Sequence, residues 1–179
     1  MKEIIFVAGV HGAGKGTLCN TVCSILEAST FSCSSLIKQY SSYVEDGKAV
    51  SSVDRNQEAL ILALEDLPNE KILLDGHFCL ISSQGGVFEL PYDVFDAIDA
   101  KAVILVTCDE KTIRQRLSSR DGNVLSLKVI TELQNKERIR ALDYCQKNNL
   151  PLYEFYSGGD DTELLNWLTS ENFSLKKHS

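Results

Sequence analysis

A glycine-rich segment near the start of the chain has residue types and spacing that suit phosphate binding. It reads Gly9-Val10-His11-Gly12-Ala13-Gly14-Lys15-Gly16-Thr17 and directly follows an apolar run. Glycines let successive backbone N–H groups turn inward around an anion, a helix start adds partial positive charge, and a lysine reaches the outer phosphates. The sequence therefore predicts a phosphate-binding loop in which Gly12 to Thr17 and the Lys15 side chain hold a polyphosphate.

A carboxylate and a histidine follow a second apolar run. Ile72-Leu73-Leu74 leads into Asp75-Gly76-His77. If this run is a buried parallel strand, its carboxylate lies at the carboxyl edge of the sheet, beside the phosphate loop. Such an acid can hold the water shell of Mg²⁺ or orient an attacking hydroxyl, whereas the alternative is a simple turn-forming role. His77 either bonds an acceptor molecule or packs beneath the site.

Two arginines four residues apart have side chains that suit phosphate oxygens. Arg116 and Arg120 share one face of a predicted helix. The planar guanidinium fork binds phosphate oxygens in pairs, and its charge is permanent. The alternative is a solvated helix face with local salt bridges. Arg138 and Arg140, on the next predicted helix, either face phosphate as well or pair on the surface with Glu132 or Glu137.

The charge of the chain is unevenly distributed. The 179 residues include 25 acidic and 18 basic side chains, for a formal net charge of −7. An acidic total argues against extended nucleic-acid binding, which depends on phosphate neutralisation by Lys and Arg. Yet residues 111–140 hold eight basic and three acidic side chains, including five of the six arginines. This concentration is typical of a protein that meets a polyphosphate.

The elements that must position these residues follow from the apolar pattern. Apolar runs alternate with segments of helical period, which predicts an α/β fold with a parallel sheet. We expect strands at 4–8, 31–34, 71–75, 102–106 and 152–156, and helices at 15–27, 35–44, 53–67, 110–119, 127–148 and 162–169. We also expect a single domain over 1–179, with acceptor-binding helices in about 34–67 and a short lid in about 116–128.

The cysteine spacing and the lengths of the apolar runs indicate the cellular compartment. The six cysteines have no Cys-x-x-Cys pair and no zinc-finger spacing, so they are expected to be reduced, small apolar residues. The first apolar run, Ile4 to Val10, is too short for a secretory signal, and no run has the length of a membrane span. We therefore expect a cytoplasmic protein without a membrane partner.

The phosphate loop departs from the general Walker A consensus in one place. Gly16 follows Lys15, so the hydroxyl arrives one residue later, at Thr17. This Gly-x-Gly-Lys-Gly-Thr form resembles the adenylate kinases and related nucleoside monophosphate kinases, in which the metal is held largely through water. The Asp75-x-His77 pattern is similar to the compact, archaeal type of this family, and the pair Arg116 and Arg120 resembles the start of the lid in adenylate kinases, where two such arginines close over the transferring phosphates. The resemblance spans roughly residues 4–169.

The resemblance implies a three-layer P-loop NTPase fold, with a five-stranded parallel sheet flanked by helices and a short lid. It implies ATP and Mg²⁺ as cofactors, with Thr17 and Asp75 near the metal through water and with Ser157 and Gly158 at the adenine. It further implies an ATP-dependent phosphotransferase that moves the γ-phosphoryl of Mg-ATP to a small acceptor. A nucleoside monophosphate is the first candidate, and Lys15, Asp75, Arg116 and Arg120 are the expected catalytic residues.

The segment that is expected to bind the acceptor contains few basic side chains. Adenylate kinases hold the acceptor phosphate with arginines between the first and third strands, where this chain offers only Arg55. The candidate acceptor-binding residues are Lys38, Arg55, Gln57 and His77. The alternative is an ATPase or nucleotide-dependent switch that acts on a protein or RNA partner, for which no arginine-rich acceptor site is needed.

Overall fold

A parallel sheet with helices on both sides organises the chain. The computed structural model describes residues 2–43, 52–68, 70–82, 84–122 and 125–173. The strands are β1 (Glu3–Ala8), β2 (Ser29–Ser32), β3 (Lys71–Gly76), β4 (Cys79–Ile81), β5 (Val87–Glu89), β6 (Ala102–Thr107) and β7 (Leu152–Tyr156). The helices are α1 (Lys15–Leu26), α2 (Cys33–Tyr40), α3 (Ser52–Asp66), α4 (Tyr92–Ile98), α5 (Glu110–Asp121), α6 (Leu127–Lys147) and α7 (Asp161–Ser170), with a 3₁₀ turn at Ser41–Tyr43.

The central sheet has the strand order β2-β3-β1-β6-β7, and all of its pairings are parallel. Strands β1, β3 and β6 are buried over most of their length because helices cover both faces, which explains their nearly continuous apolar sequences. Ala8 pairs with Gly76 where β1 and β3 end. The residues that follow these two strands are therefore neighbours at the carboxyl edge of the sheet.

The five expected strands are present in this sheet, and the expected helices are present with shifted ends. The strand expected at 31–34 lies at Ser29–Ser32, because Cys33 already belongs to α2. Ser32 is extended and precedes the first helical residue, which is the geometry of a helix N-cap. The helix expected at 35–44 runs from Cys33 to Tyr40, and residue 44 lies outside the described part of the chain.

Three elements between β3 and β6 were not predicted from the sequence. Strands β4 and β5 form an antiparallel hairpin, and helix α4 follows it. The hairpin turn closes with the Ser82 N–H donating to the Gly86 carbonyl at 2.7 Å, and Gly85 has a φ of 85° that favours glycine. The described helices include none with the length and apolar character needed to cross a membrane.

A buried carboxylate fixes helix α6 against the ends of β1 and β3. The Glu137 side chain is 1% exposed. Its Oε1 accepts from the Gly9 N–H at 3.1 Å and from the Phe78 N–H at 2.8 Å, and its Oε2 accepts from the Cys79 N–H at 2.7 Å. Each of these amides would otherwise be a buried donor without an acceptor. Glu137 therefore sets the positions of the phosphate loop and of the hairpin relative to α6.

We expect Glu137→Gln to lower the free energy of unfolding by about 2–4 kcal/mol, because the amide nitrogen would face an N–H that now donates to a carboxylate oxygen. Urea denaturation measures this loss. The matched control is Glu132→Gln on the same helix, where the carboxylate is exposed and pairs with Lys136, and a change below about 0.5 kcal/mol is expected there. An equally small loss at Glu137 would contradict its anchoring role.

The same variant has a predicted pH dependence. Burial raises the pKa of Glu137 from 4.5 to about 7, although the backbone N–H donors act in the opposite direction. Between these two values the folded protein holds a proton that the unfolded chain has released, so this group makes unfolding easier as pH rises. Glutamine does not titrate. The stability deficit of Glu137→Gln should therefore be larger at about pH 5.5 than at about pH 7.5, and a deficit that grows with pH would contradict the raised pKa.

Candidate active site

The phosphate loop connects β1 to α1 through a backbone that requires glycine at two points. Gly14 has a φ of 102°, and a Cβ built there would lie 2.6 Å from the Ser157 hydroxyl oxygen. A Cβ at Gly9, which has a φ of 146°, would lie 2.5 Å from the Val106 carbonyl oxygen. Helix α1 begins at Lys15. The N–H groups of its first turn have no acceptor within the helix and are available to an anion.

Lys15 is buried within this loop. Its Nζ donates to the Gly9 carbonyl at 2.7 Å and to the Val10 carbonyl at 3.1 Å, and it lies 3.6 Å from Asp75 Oδ1. Burial lowers the pKa of Lys15 and raises the pKa of Asp75, and in each case the charge of the other group opposes the shift. Lys15 and Asp75, both predicted to be catalytic, thus meet in one partly buried ion pair.

A polar cavity of about 400 Å³, which we call the phosphate cradle, opens over the loop. Its walls include loop residues, the carboxylate at the end of β3, and both candidate arginines of α5: Gly12, Gly14, Lys15, Gly16, Thr17, Asp75, Arg116 and Arg120. Ala13 is fully buried beneath it. The structure thus brings together the four residues expected to be catalytic.

Helix α5 presents its arginines to the loop because its N-terminus is held at the end of β6. Asp109 caps the helix by accepting from the Thr112 N–H at 2.9 Å. The Arg116 Nη1 donates to the Gly12 carbonyl at 2.9 Å. Ile113 and Leu117 are buried on the inner side of the same helix. The exposed side chain of Arg116 is therefore held against the loop.

Arg138 and Arg140 have structural partners elsewhere. Arg138 makes a bidentate, exposed ion pair with Glu154 of β7, at 2.6 and 2.9 Å. Arg140 donates to the Leu90 carbonyl and to Glu89, and it stacks 4.1 Å from the ring centroid of Tyr92. Neither arginine pairs with Glu132 or Glu137, and neither lines the cradle. Only part of the basic segment 111–140 therefore faces the site.

Two histidines separate the cradle from the interior of the fold. The rings of His11 and His77 have centroids 4.1 Å apart. His77 Nδ1 lies 2.6 Å from the Gly9 carbonyl oxygen, so Nδ1 carries the proton and Nε2 remains an acceptor. Burial, with the nearby charge of Lys15, holds the pKa of His77 well below its ordinary value. His77 is consequently a neutral ring with a fixed tautomer.

A second cavity of about 310 Å³, which we call the apolar cavity, begins at His77 on the side away from the cradle. Helices α2, α3 and α4 and the hairpin form its walls. Its apolar lining consists of Phe6, Ile37, Val53, Leu60, Leu80, Ile81, Phe88, Leu90, Val94, Phe95 and Ile98. The lining also includes the thiol of Cys33 and the polar side chains of Ser34, Ser52, Asn56, Gln57 and Ser82.

The predicted acceptor-binding residues divide into two groups. Gln57 and His77 line the apolar cavity, whereas Lys38 and Arg55 are exposed and do not line it. Gly76 lets β3 end close to this cavity, since a Cβ there would lie 2.6 Å from the Phe6 ring. The hairpin side of the cavity was missed in the sequence, although Gly85-Gly86 between two short apolar runs is a typical hairpin signal.

A third cavity of about 470 Å³ lies between the phosphate loop, β4 and helices α5 and α6. Both histidines and Arg120 contribute to its lining, together with apolar residues such as Leu117 and Leu133. Ser157 and Gly158, expected at the adenine, follow β7, where the Ser157 N–H donates to the Thr107 carbonyl at 2.8 Å. Ser157 packs against Gly14, and Gly158 is exposed.

The comparison with protein families identifies the chain's relatives. A family described as an AAA domain matches residues 8–134, which include the loop, β3, the hairpin and α5. The chain belongs to this AAA-domain family. This chain is 31% identical over 124 residues to the adenylate kinase isoenzyme 6 homolog of Drosophila melanogaster. The matched region covers 69% of this chain and 63% of that protein.

A UMP-CMP kinase 1 of Oryza sativa subsp. japonica is 23% identical over 169 residues, covering 86% of this chain and 63% of that protein. The probable UMP-CMP kinase 1 of Arabidopsis thaliana is 28% identical over 143 residues, covering 71% of this chain and 67% of that protein. The chain thus spans about two thirds of the length of the curated relatives it matches. These matches confirm the resemblance to the adenylate kinase-like family.

Solved structures confirm the three-layer P-loop fold. A thymidylate kinase from Candida albicans superposes with a TM-score of 0.54 at 15% identity, covering 99% of this chain and 96% of that chain. A gluconokinase from Sinorhizobium meliloti 1021 gives a TM-score of 0.52 at 12% identity, covering 94% and 90%. At these identities the likeness establishes the fold of the AAA-domain chain.

Proposed function

We propose that this protein is an ATP-dependent phosphotransferase that moves the γ-phosphoryl of Mg-ATP to a small acceptor. The observation that carries the proposal is the meeting of two cavities at the histidine pair. His11 lines the phosphate cradle and His77 lines the apolar cavity, and the two rings are in contact. A polyphosphate in one cavity and a second molecule in the other can therefore approach each other, whereas hydrolysis by water needs no second cavity.

The donor is held by the loop backbone and Lys15. The first-turn N–H groups of α1 and the helix dipole favour phosphate oxygens. Lys15 now donates to two loop carbonyls. A phosphate offers the Lys15 ammonium a charged acceptor, and hydrogen bonds to charged acceptors are stronger than those to carbonyls. Lys15 thus couples donor binding to the geometry of the loop.

The cradle also fits a magnesium ion bound with the donor. Thr17 and Asp75 supply a hydroxyl and a carboxylate on its walls. Among the described residues there is no cluster of three or more acidic, histidine or cysteine side chains that could hold a metal alone. One hydroxyl and one carboxylate suit Mg²⁺, which usually keeps several waters and binds through one or two protein oxygens plus phosphates. The ion would supply charge neutralisation on the transferring phosphate.

Transfer then requires positioning and charge stabilisation. The acceptor oxygen forms a bond to the γ-phosphorus, the bond from that phosphorus to the β–γ bridging oxygen breaks, and ADP leaves with its electron pair. Arg116 and Arg120 line the cradle and would stabilise the equatorial oxygens as these gain charge. Nε2 of His77 can accept the hydrogen bond of an acceptor hydroxyl and so orient it.

Two classes of acceptor have support. The names of the relatives, UMP-CMP kinase and adenylate kinase homolog, support a nucleoside monophosphate. The lining of the apolar cavity supports a molecule with a ring and little charge. Both classes are compatible with the transfer described above.

The proposal is tested by incubating purified protein with Mg-ATP and a panel of nucleosides, nucleoside monophosphates and other small hydroxyl compounds, followed by mass spectrometry of the products. A phosphorylated acceptor is expected, with ATP hydrolysis slower than transfer. Transfer to no compound, with hydrolysis stimulated by a protein or RNA, would establish a nucleotide switch instead.

We expect Lys15→Met to weaken Mg-ATP binding about 30-fold or more, because the charge-assisted contacts to phosphate are lost. Isothermal titration calorimetry measures the affinity, and circular dichroism checks the fold. Lys111→Met removes the same charge from an exposed position on α5 and should bind as the unmodified protein does. Undiminished binding by Lys15→Met would exclude the loop as the phosphate site.

We expect Arg116→Ala to lower kcat about 100-fold while changing the KM for ATP much less, because its charge is needed most as the phosphoryl moves. Steady-state kinetics with the acceptor found above separate the two effects. Arg114 lies two residues away, exposed and outside the cradle, so Arg114→Ala is the control. If both variants have equal kcat values, Arg116 has no role in phosphoryl transfer.

A further inference from the structure

The described residues that line the apolar cavity include no lysine, arginine, aspartate or glutamate. Two of its groups could titrate, and both are held neutral. Burial raises the pKa of the Cys33 thiol to about 12. His77 is neutral because burial and neighbouring charge keep its pKa low. A phosphate dianion placed in this lining would lose its hydration without gaining a counter-charge.

The basic side chains of the two flanking helices point elsewhere. On α2, Ser34 and Ile37 line the cavity whereas Lys38 is exposed outside it. On α3, Asn56 and Gln57 line the cavity whereas Arg55 does not. The orientation of α2 and α3 that faces their apolar sides to the cavity therefore keeps Lys38 and Arg55 out of its lining.

The cations of the phosphate cradle are matched to one polyphosphate. Among its described lining residues, Lys15, Arg116 and Arg120 are opposed by the carboxylate of Asp75. A triphosphate already carries more negative charge than this set balances, so magnesium is needed to complete neutralisation. Arg120 also lines the third cavity, and it is the single charged side chain in the described lining there. A second phosphate beside the donor would therefore add repulsion without a dedicated partner.

We infer that the acceptor is an uncharged ring compound that bears a hydroxyl group and has about the size of a nucleoside, rather than a nucleoside monophosphate. This inference rests on the proposed phosphotransferase function. A cavity of about 310 Å³ is at the lower end of the range for small-molecule sites. Phe6, Phe88 and Phe95 offer aromatic surfaces to a planar ring.

The polar groups of the cavity suit the edge of such a ring and its hydroxyl. The amides of Asn56 and Gln57 each present both donors and acceptors. The hydroxyl is directed to His77, which stands between this cavity and the cradle. Its oxygen bonds to the γ-phosphorus, ADP leaves with the bridging oxygen's electron pair, and the hydroxyl proton passes through Nε2 of His77 to solvent. The product gains charge that the cavity does not balance, which favours its release.

Matched pairs of acceptors test this inference: uridine and UMP, cytidine and CMP, adenosine and AMP, and thymidine and TMP, each with Mg-ATP. The best nucleoside should have a kcat/KM at least about tenfold above that of its own monophosphate. A monophosphate preferred by the same factor would overturn the inference and leave the phosphotransferase function standing. Phosphorylation of none of these compounds and of none of the other small hydroxyl compounds in the panel, with ATP consumed only by hydrolysis, would overturn both.

A charge placed in the cavity provides a second test. Gln57→Arg should raise the ratio of monophosphate to nucleoside kcat/KM about tenfold, because it supplies the missing counter-charge. Leu62→Arg adds the same charge to α3 at an exposed position outside the cavity and should leave the ratio unchanged. Asn56→Arg, at a more exposed position of the lining, replaces Gln57→Arg if thermal unfolding shows that variant to be misfolded. Equal ratios in the cavity and control variants would overturn the inference.

Discussion

The geometry of the site depends on the carboxylate of Glu137, which does not itself line the cradle. Glu137 accepts from three backbone N–H groups that belong to two different segments, the start of the phosphate loop and the start of β4. Without this acceptor, the segments that leave β1 and β3 would carry buried, unpaired donors. One side chain of α6 therefore fixes the positions of the glycine-rich loop, the histidine after β3 and the hairpin relative to one another.

The distribution of charge follows from this arrangement. The loop and α5 contribute the cations that surround the cradle, and α6 uses its own arginines to hold β7 and the hairpin. The apolar cavity receives none of these charges among its described residues. A chain with a net charge of −7 can thus keep a compact, positively charged cavity next to one that is almost neutral. A pair of imidazole rings in contact lies between the two cavities.

Much of this structure could be predicted from the sequence, because the signals are local. The glycine spacing of the loop, the apolar runs of β1, β3 and β6, and the helical spacing of Arg116 and Arg120 each lie within a few residues. The role of Glu137 has no such signal, since its partners are backbone N–H groups far away along the chain, and an acid within Lys136-Glu137-Arg138 resembles an exposed helix surface. The partners of Arg138 and Arg140 were missed for the same reason. Lys38 and Arg55 were placed near an acceptor by position along the chain, but helix rotation decides which side chains enter the cavity.

The Gly9 carbonyl oxygen connects the two halves of the site. It accepts from Lys15 Nζ at 2.7 Å and lies 2.6 Å from His77 Nδ1, while the N–H of the same residue is held by Glu137. Under the proposed function, a polyphosphate that draws Lys15 towards itself would take one of its two donors from this oxygen. It would also move a charge that adds to the effect of burial in lowering the pKa of His77. Any such change must act equally in the other direction, because linkage between two binding events is reciprocal. Under the proposed function, the second molecule to bind would therefore meet a site whose hydrogen bonds the first had already rearranged.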